Sequence, residues 1–343
     1  MRTSSRWVPV IALALAGCAP TPSPPTDSAT DSATDAAADV AVSDSGVAVS
    51  DSGIEPARDG GSSVACRGTT SRAMLDLRYH AIAGVDPNLL SLDLYLPTLA
   101  PSCAAPPLVV YVHGGAWVTG DKRSQIATKV RYFADEGLAF ASLNYRLSAM
   151  PGGAAGVQYP THNQDVARAI AWLRERATMY GYRAERITLF GHSAGAGIAT
   201  LVGTDPQFLA AHGRSLADLS CVASLDTEAY DVAAQVAAGG MVEMVYRNAF
   251  GSDPMVWTRA SPMLNGTLTA ANRVPPFLVV TRGTAARRML SQRFVDALDA
   301  AGSSATLHNA EPLSHEGVND AIGDPSDAVV MPAFAPFLAR CAR

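Results

Sequence analysis

From residue 108 onward the chain alternates two kinds of segment: short, almost wholly apolar runs and longer stretches with helical periodicity. The runs at Leu108–Val112, Ala139–Tyr145, Arg186–Phe190, Cys221–Asp226 and Pro275–Thr281 are too short for helices. They are also too uniformly apolar for strands with one wet face, so each reads as a strand covered on both sides. Between them, helices are expected near Ser124–Glu136, at Thr161–Tyr180 (Val166, Ala169, Ile170 and Leu173 on one stripe), after Ser193, and at Gln292–Gly302. "SATLHN" adds a last strand and "AVVMPAFAPFLARC" a last helix. This alternation admits an α/β fold: a mostly parallel central sheet with helices on both faces. Upstream, "MLDLRYHAI" and "LLSLDLYL" alternate with period two and predict an antiparallel hairpin. The segment Thr227–Val274 is too long for a plain connection and predicts a small lid or side wall between strands 6 and 7. A chain of 343 residues, 48% hydrophobic, fits one such domain with extras better than two equal domains.

The extras lie at the N-terminus. Arg2 and Arg6 precede "WVPVIALALA", an apolar stretch too short to span a bilayer but of signal-peptide length. It ends in "LAGC" (Leu15–Cys18), which resembles the lipobox of bacterial lipoproteins and makes Cys18 the expected lipidation site. Ala19 after Cys18, by resemblance to Gram-negative lipoproteins, favours the outer membrane over the inner. Residues 19–65 are rich in Ser, Asp, Ala, Thr and Pro, with "DSAT" repeated and "VAVSDSG" occurring twice. Such a composition buries too little apolar surface to offset chain entropy and reads as a disordered tether with a reach of roughly 40 Å. The expected organisation is therefore a leader over 1–18, a linker over 19–65 and a folded domain over 66–343. Residues 19–57 carry seven acidic and no basic side chains; with these and the two leader arginines set aside, 24 basic and 24 acidic residues remain. A neutral folded part gives no basic surface for nucleic acid.

Four cysteines besides Cys18 in an exported chain predict two disulfides. Cys66 precedes the first hairpin strand and Cys103 follows the second, so both fall at one end of the hairpin. Cys221 opens a later strand, and Cys341 closes a helix running back toward the strand starts. The expected pairs are Cys66–Cys103 and Cys221–Cys341.

Two motifs carry chemistry. "GHSAG" (Gly191–Gly195) follows an apolar strand and precedes a small-residue helix, the context of a nucleophile elbow presenting Ser193. "HGGAW" (His113–Trp117) also follows a strand. Acyl transfer builds negative charge on a carbonyl oxygen, and glycines allow backbone N–H groups to approach it. The N–H groups of Gly115, Ala116 and Ala194 are the expected oxyanion donors.

With "LNYRLS", "YPTHNQDVARAIAWLRE" and "LSHEGVN", these motifs resemble α/β-hydrolase carboxylesterases of the hormone-sensitive-lipase-like and feruloyl- and acetyl-esterase-like groups, from about Leu89 to the C-terminus. The resemblance implies hydrolysis of small-molecule carboxylic esters through an acyl-enzyme, without metal or organic cofactor. It matches Ser193 to the nucleophile and His315 to the general base. His315 also fits by elimination: the base follows the last strand, whereas His80, His113, His162, His192, His212 and His308 fall within motifs or too early.

The acid departs from the family pattern. Ala286 stands where these esterases place Asp after the strand Pro275–Thr281, followed by Arg287 and Arg288. Asp226, at the end of the preceding strand, is the first substitute; Glu311 is the second. Glu316 adjoins the base, and Asp231 reads as a turn residue. Two other classes stay open at this point: a lapsed hydrolase-fold binding protein, suggested by Ala286, and an exported peptidase or amidase.

Overall fold

The computed structural model describes residues 66–150 and 156–342. The expected leader, the linker and Cys18 lie outside the described residues.

Strands β1 (Ser71–Arg78) and β2 (Ser91–Pro97) form the antiparallel hairpin. They are followed by β3 (Pro107–Val112), α1 (Ala127–Asp135), β4 (Ala139–Leu143), α2 (Thr161–Tyr180) and β5 (Arg183–His192). Then come α3 (Ala194–Thr204), α4 (Pro206–Ala210) and β6 (Leu219–Leu225). The segment between β6 and the strand after it holds α5 (Val232–Ala237), α6 (Gly240–Phe250) and α7 (Pro254–Arg259). β7 (Phe277–Thr281), α8 (Ala285–Ala300), β8 (Ala305–Asn309), α9 (His315–Asp320) and α10 (Met331–Cys341) complete the domain. The eight strands lie in the order β1-β2-β4-β3-β5-β6-β7-β8, antiparallel at β1/β2 and β2/β4 and parallel elsewhere.

Strand alternation divides the core. Leu108, Val110 and Val112 of β3 join Val166, Ile170 and Leu173 of α2 and Phe294 and Leu298 of α8 on one face. Val109 and Tyr111 join Phe133 of α1, Val318 of α9 and Phe334 and Phe337 of α10 on the other. A strand with both faces dry must be apolar at every position, which is the pattern the sequence carries.

Several boundaries differ from expectation, among them the hairpin strands and two helix starts. The hairpin strands sit earlier or shorter than their alternation suggests, because the register of β1 shifts between Met74 and Leu77, where Asp76 has φ 56°, and Leu89–Leu90 belong to a 3-10 turn. Helix α1 starts at Ala127, three residues late. Helix α8 starts at Ala285, seven residues early, because the Thr284 side chain caps its first turn by accepting from the Arg287 N–H.

The two disulfides are Cys66–Cys103 and Cys221–Cys341, as the strand ends require. The second ties the start of β6 to the end of α10. The register also aligns the opposite ends of the strands: Val112 with Gly191, His192 with Leu225, Leu225 with Val280, and Thr281 with Asn309. The residues that follow, His113, Ser193, Asp226, Arg282 and Ala310, therefore leave the sheet along one carboxyl edge, where ligands of open α/β sheets bind.

Candidate active site

Ser193 is the single residue between β5 and α3, with φ 56° and ψ −123°. A non-glycine residue held there costs on the order of 1–3 kcal/mol and persists only where its surroundings impose it. Its N–H donates to the Leu225 carbonyl (2.9 Å), and its carbonyl accepts from the Gly197 N–H (3.1 Å). The flanking glycines are forced by space: a Cβ on Gly191 would strike the Gly195 carbonyl, and one on Gly195 would strike the carbonyls of Val112 and His113. Seven non-glycine residues among those described have positive φ, and four of them, Ala116, Trp117, Ser193 and Asp226, line one cavity with His315. Strain is concentrated at one place on the molecule.

The turn after β3 is fixed from beneath. The N–H groups of Val118 and Thr119 both donate to the Gly115 carbonyl, at 3.0 Å each. His113 donates through Nδ1 to the Gly114 carbonyl (2.7 Å), stacks on Tyr145 at 4.6 Å, and has its own carbonyl held by the Tyr145 hydroxyl (3.0 Å). Ala116 and Ala194 stand in the cavity wall, with Gly115 adjacent in the same turn. Ala194 is the first residue of α3, so its N–H has no acceptor within the helix and lies at the positive end of the helix dipole.

His315 opens α9, and Ser314 caps that helix by accepting from the Gly317 N–H (2.9 Å). The Nδ1–H of His315 donates to Asp226 Oδ2 at 2.6 Å. Asp226 extends from the end of β6 with φ 51°, its N–H donating to the Val280 carbonyl (2.8 Å) and its carboxylate wholly buried. Arg282 Nε also reaches Oδ2 (2.9 Å), and Arg287 Nη2 reaches Oδ1 (2.7 Å). Burial alone would raise the Asp226 pKa. The hydrogen bond from His315 and the charges of Arg287, His315 and Arg282 outweigh it and hold the carboxyl down at about 2. Glu228, whose Oε2 accepts from Arg287 Nη1 (2.9 Å), is shifted upward by its burial.

Helix α9 is anchored at both ends. His192, the middle residue of the serine motif, donates through Nε2 to the His315 carbonyl (2.8 Å), with the two rings 4.5 Å apart. Burial and the neighbouring His315 push the His192 pKa down to about 3, so it stands neutral. At the other end, the Asn319 side chain accepts from the Tyr111 hydroxyl (2.8 Å) and its carbonyl accepts from Lys129 Nζ (2.8 Å). Burial lowers the Lys129 pKa to about 8.

Of the acid candidates, Asp226 is the one placed against His315. Glu311 lies on the surface, paired with Arg288 Nη1 at 3.0 Å. Glu316 is exposed, Asp231 caps α5, and Ala286 sits in the first turn of α8. Of Met241, Met244, Tyr246, Phe250, Met255 and Trp257, the large apolar side chains between β6 and β7, Tyr246 alone stands in this cavity wall. Phe250 packs edge-on against Trp117 at 5.0 Å, and the three methionines are exposed. Sequence reasoning missed Glu228 and the inward turn of Arg282 and Arg287. "TRGTAARR" gives no sign of which arginines face a buried carboxylate.

Residues 92–280 match the family model BD-FAE, more than half of the chain. The chain belongs to the BD-FAE family. It is similar to esterase LipQ of Mycobacterium tuberculosis, 31% identical over 64% of this chain and 52% of LipQ. Esterase LipI of the same organism is 24% identical over 65% of this chain and 69% of LipI. The chain thus spans about half the length of LipQ. Among solved structures, esterase B from Lactobacillus rhamnosis superposes with a TM-score of 0.61 at 23% identity, covering 80% of this chain and 86% of that one. A truncated carbohydrate esterase from gut microbiota gives 0.60 at 17% identity, covering 80% and 98%. At these identities the likeness carries the fold, and the fold of this BD-FAE member is that of the α/β-hydrolases, as expected from its strand and motif order.

Proposed function

We propose that this BD-FAE member is a serine hydrolase of small-molecule carboxylic esters. The observation that carries the reading is the Asp226–His315 hydrogen bond in the wall of the cavity where Ser193 sits on its strained turn. With Nδ1–H engaged by Asp226, Nε2 of His315 is the basic nitrogen. It takes the proton of Ser193 as Oγ bonds to the ester carbonyl carbon, and the oxyanion is met by the N–H groups of Gly115, Ala116 and Ala194. Collapse expels the alcohol, which receives that proton from His315 and leaves an acyl-serine. Water, deprotonated by His315, then releases the carboxylic acid and restores Ser193. The similarity to the esterases LipQ and LipI favours ester over amide substrates. Ala286 no longer motivates a lapsed module, since Asp226 supplies a carboxylate behind His315.

We also propose that Cys18 is lipidated and tethers the domain to the bacterial cell envelope, at the outer membrane; the "LAGC" leader supports this, and two disulfides suit an oxidising compartment. Cys18→Ser abolishes incorporation of labelled palmitate if the tether is correct; continued incorporation rejects it. For the chemistry, hydrolysis of p-nitrophenyl acetate falls by about 10⁶-fold in Ser193→Ala, as when a triad nucleophile is removed. Turnover retained in that variant rejects the assignment.

A further inference from the structure

A buried carboxylate that orients an imidazole must stay ionised and must not rotate. Asp226 has two oxygens with different duties. Oδ2 receives both His315 Nδ1–H (2.6 Å) and Arg282 Nε (2.9 Å). Oδ1 receives Arg287 Nη2 (2.7 Å). The other terminal nitrogen of the same guanidinium, Nη1, donates to Glu228 Oε2 (2.9 Å), and both Arg287 and Glu228 stand in the wall of the Ser193 cavity. Arg287 is 9% exposed and lies in the first turn of α8, one residue after Ala286. The helix start that would carry the acid in the family pattern thus carries the counter-charge of an acid supplied by the neighbouring strand.

We propose that Arg287 is a positioning residue: its guanidinium, bridging Asp226 and Glu228, pins Oδ1 so that Oδ2 faces the His315 imidazole. This rests on the serine-hydrolase reading above. The chemistry favours Arg287 over Arg282 for the task. Arg282 competes with His315 for Oδ2, whereas Arg287 holds the oxygen His315 does not use. An imidazole that takes up and gives back a proton in every cycle is no permanent counter-ion, so a guanidinium must keep the wholly buried carboxylate charged. A cation on the acid also opposes the imidazolium that forms during reaction. Glu228 offsets this by sharing the guanidinium charge. A planar fork serves two carboxylates at fixed angles, which a lysine ammonium does not.

The test measures kcat and KM on p-nitrophenyl acetate for the full chain and for Arg287→Met, Arg287→Lys, Asp226→Asn and the double variant Asp226→Asn/Arg287→Met, each checked by thermal melt. Misplacing the acid lowers kcat in Arg287→Met by about 30- to 100-fold with KM within about threefold. Arg287→Lys falls between that variant and the parent. In the Asp226→Asn background the same methionine substitution costs less than about threefold, because the group it acts through is already gone. Equal losses in both backgrounds, an effect on KM alone, or an unchanged kcat in folded Arg287→Met overturns the proposal. Should Arg287→Met fail to fold, Arg287→Lys and its double variant with Asp226→Asn decide by the same comparison. Ser193→Ala in the same series separates the two claims: if it retains turnover, the hydrolase reading itself fails, whereas an additive Arg287 effect with Ser193 still required removes only the clamp.

Discussion

Two consecutive arginines, Arg287 and Arg288, pair with the two carboxylates that compete on sequence grounds to serve His315. Arg287 meets Asp226 at 2.7 Å with side-chain exposures of 9% and 0%; Arg288 meets Glu311 at 3.0 Å with exposures of 38% and 45%. The distances are nearly alike, and the environments are opposite. Water screens the outer pair and supplies alternative partners, so it contributes little. The inner pair has left water, and each member depends on the other to avoid an uncompensated buried charge. Burial, rather than the number of ion pairs, separates a surface contact from one able to hold a carboxylate in place behind His315.

The largest separation is expected in turnover. Asp226→Asn keeps the shape of the inner site but removes its charge, and kcat on p-nitrophenyl acetate falls by about 10⁴-fold, whereas Glu311→Gln stays within about twofold. Equal losses would erase the distinction. Stability comes next. Asp226→Ala leaves Arg282 and Arg287 facing an emptied site and lowers the unfolding free energy by about 3–5 kcal/mol, against less than about 1 kcal/mol for Glu311→Ala, as measured by urea denaturation.

A smaller effect extends the contrast to His192, on the other side of His315. Its folded pKa is about 3 against an ordinary value of 6.5, so between those limits the unfolded chain binds a proton that the folded chain does not. Stability is therefore fully present above pH 6.5 and falls as the pH drops toward 3. The slope is roughly 1 kcal/mol per pH unit for this group, and His192→Gln flattens it in a pH series of melts. An unchanged slope would mean that His192 charges freely in the folded protein. The smallest effect is salt. Double-mutant cycles at low and at 1 M ionic strength should shrink the Arg288–Glu311 coupling by a few tenths of a kcal/mol and leave the Arg287–Asp226 coupling in place.

Much of this geometry is legible in the sequence because it follows from local necessities. Runs such as Leu108–Val112 can be apolar throughout only between two helical layers, and the glycines around Ser193 are forced by carbonyls of the neighbouring turn. The disulfide partners follow from which ends of the strands they occupy. The sequence ranks Asp226 ahead of Glu311 but does not decide between them. Both precede His315 in the chain at an acceptable place, and only the alignment of Leu225 with Val280 and of Thr281 with Asn309 brings the end of β6, rather than the loop after β8, behind the imidazole. The inward turn of Arg287 escaped for a similar reason. It follows from the early start of α8, which Thr284 capping sets and apolar periodicity does not reveal.

The most direct measurement is the site and rate of covalent capture by a fluorophosphonate, read by peptide mass spectrometry on the oxidised protein. The expected result is a single adduct on Ser193, formed far more slowly in Asp226→Asn and at the parent rate in Glu311→Gln. An adduct elsewhere, or none, would contradict the role of Ser193, and equal rates in Asp226→Asn and the parent would contradict the role of the buried carboxylate behind His315.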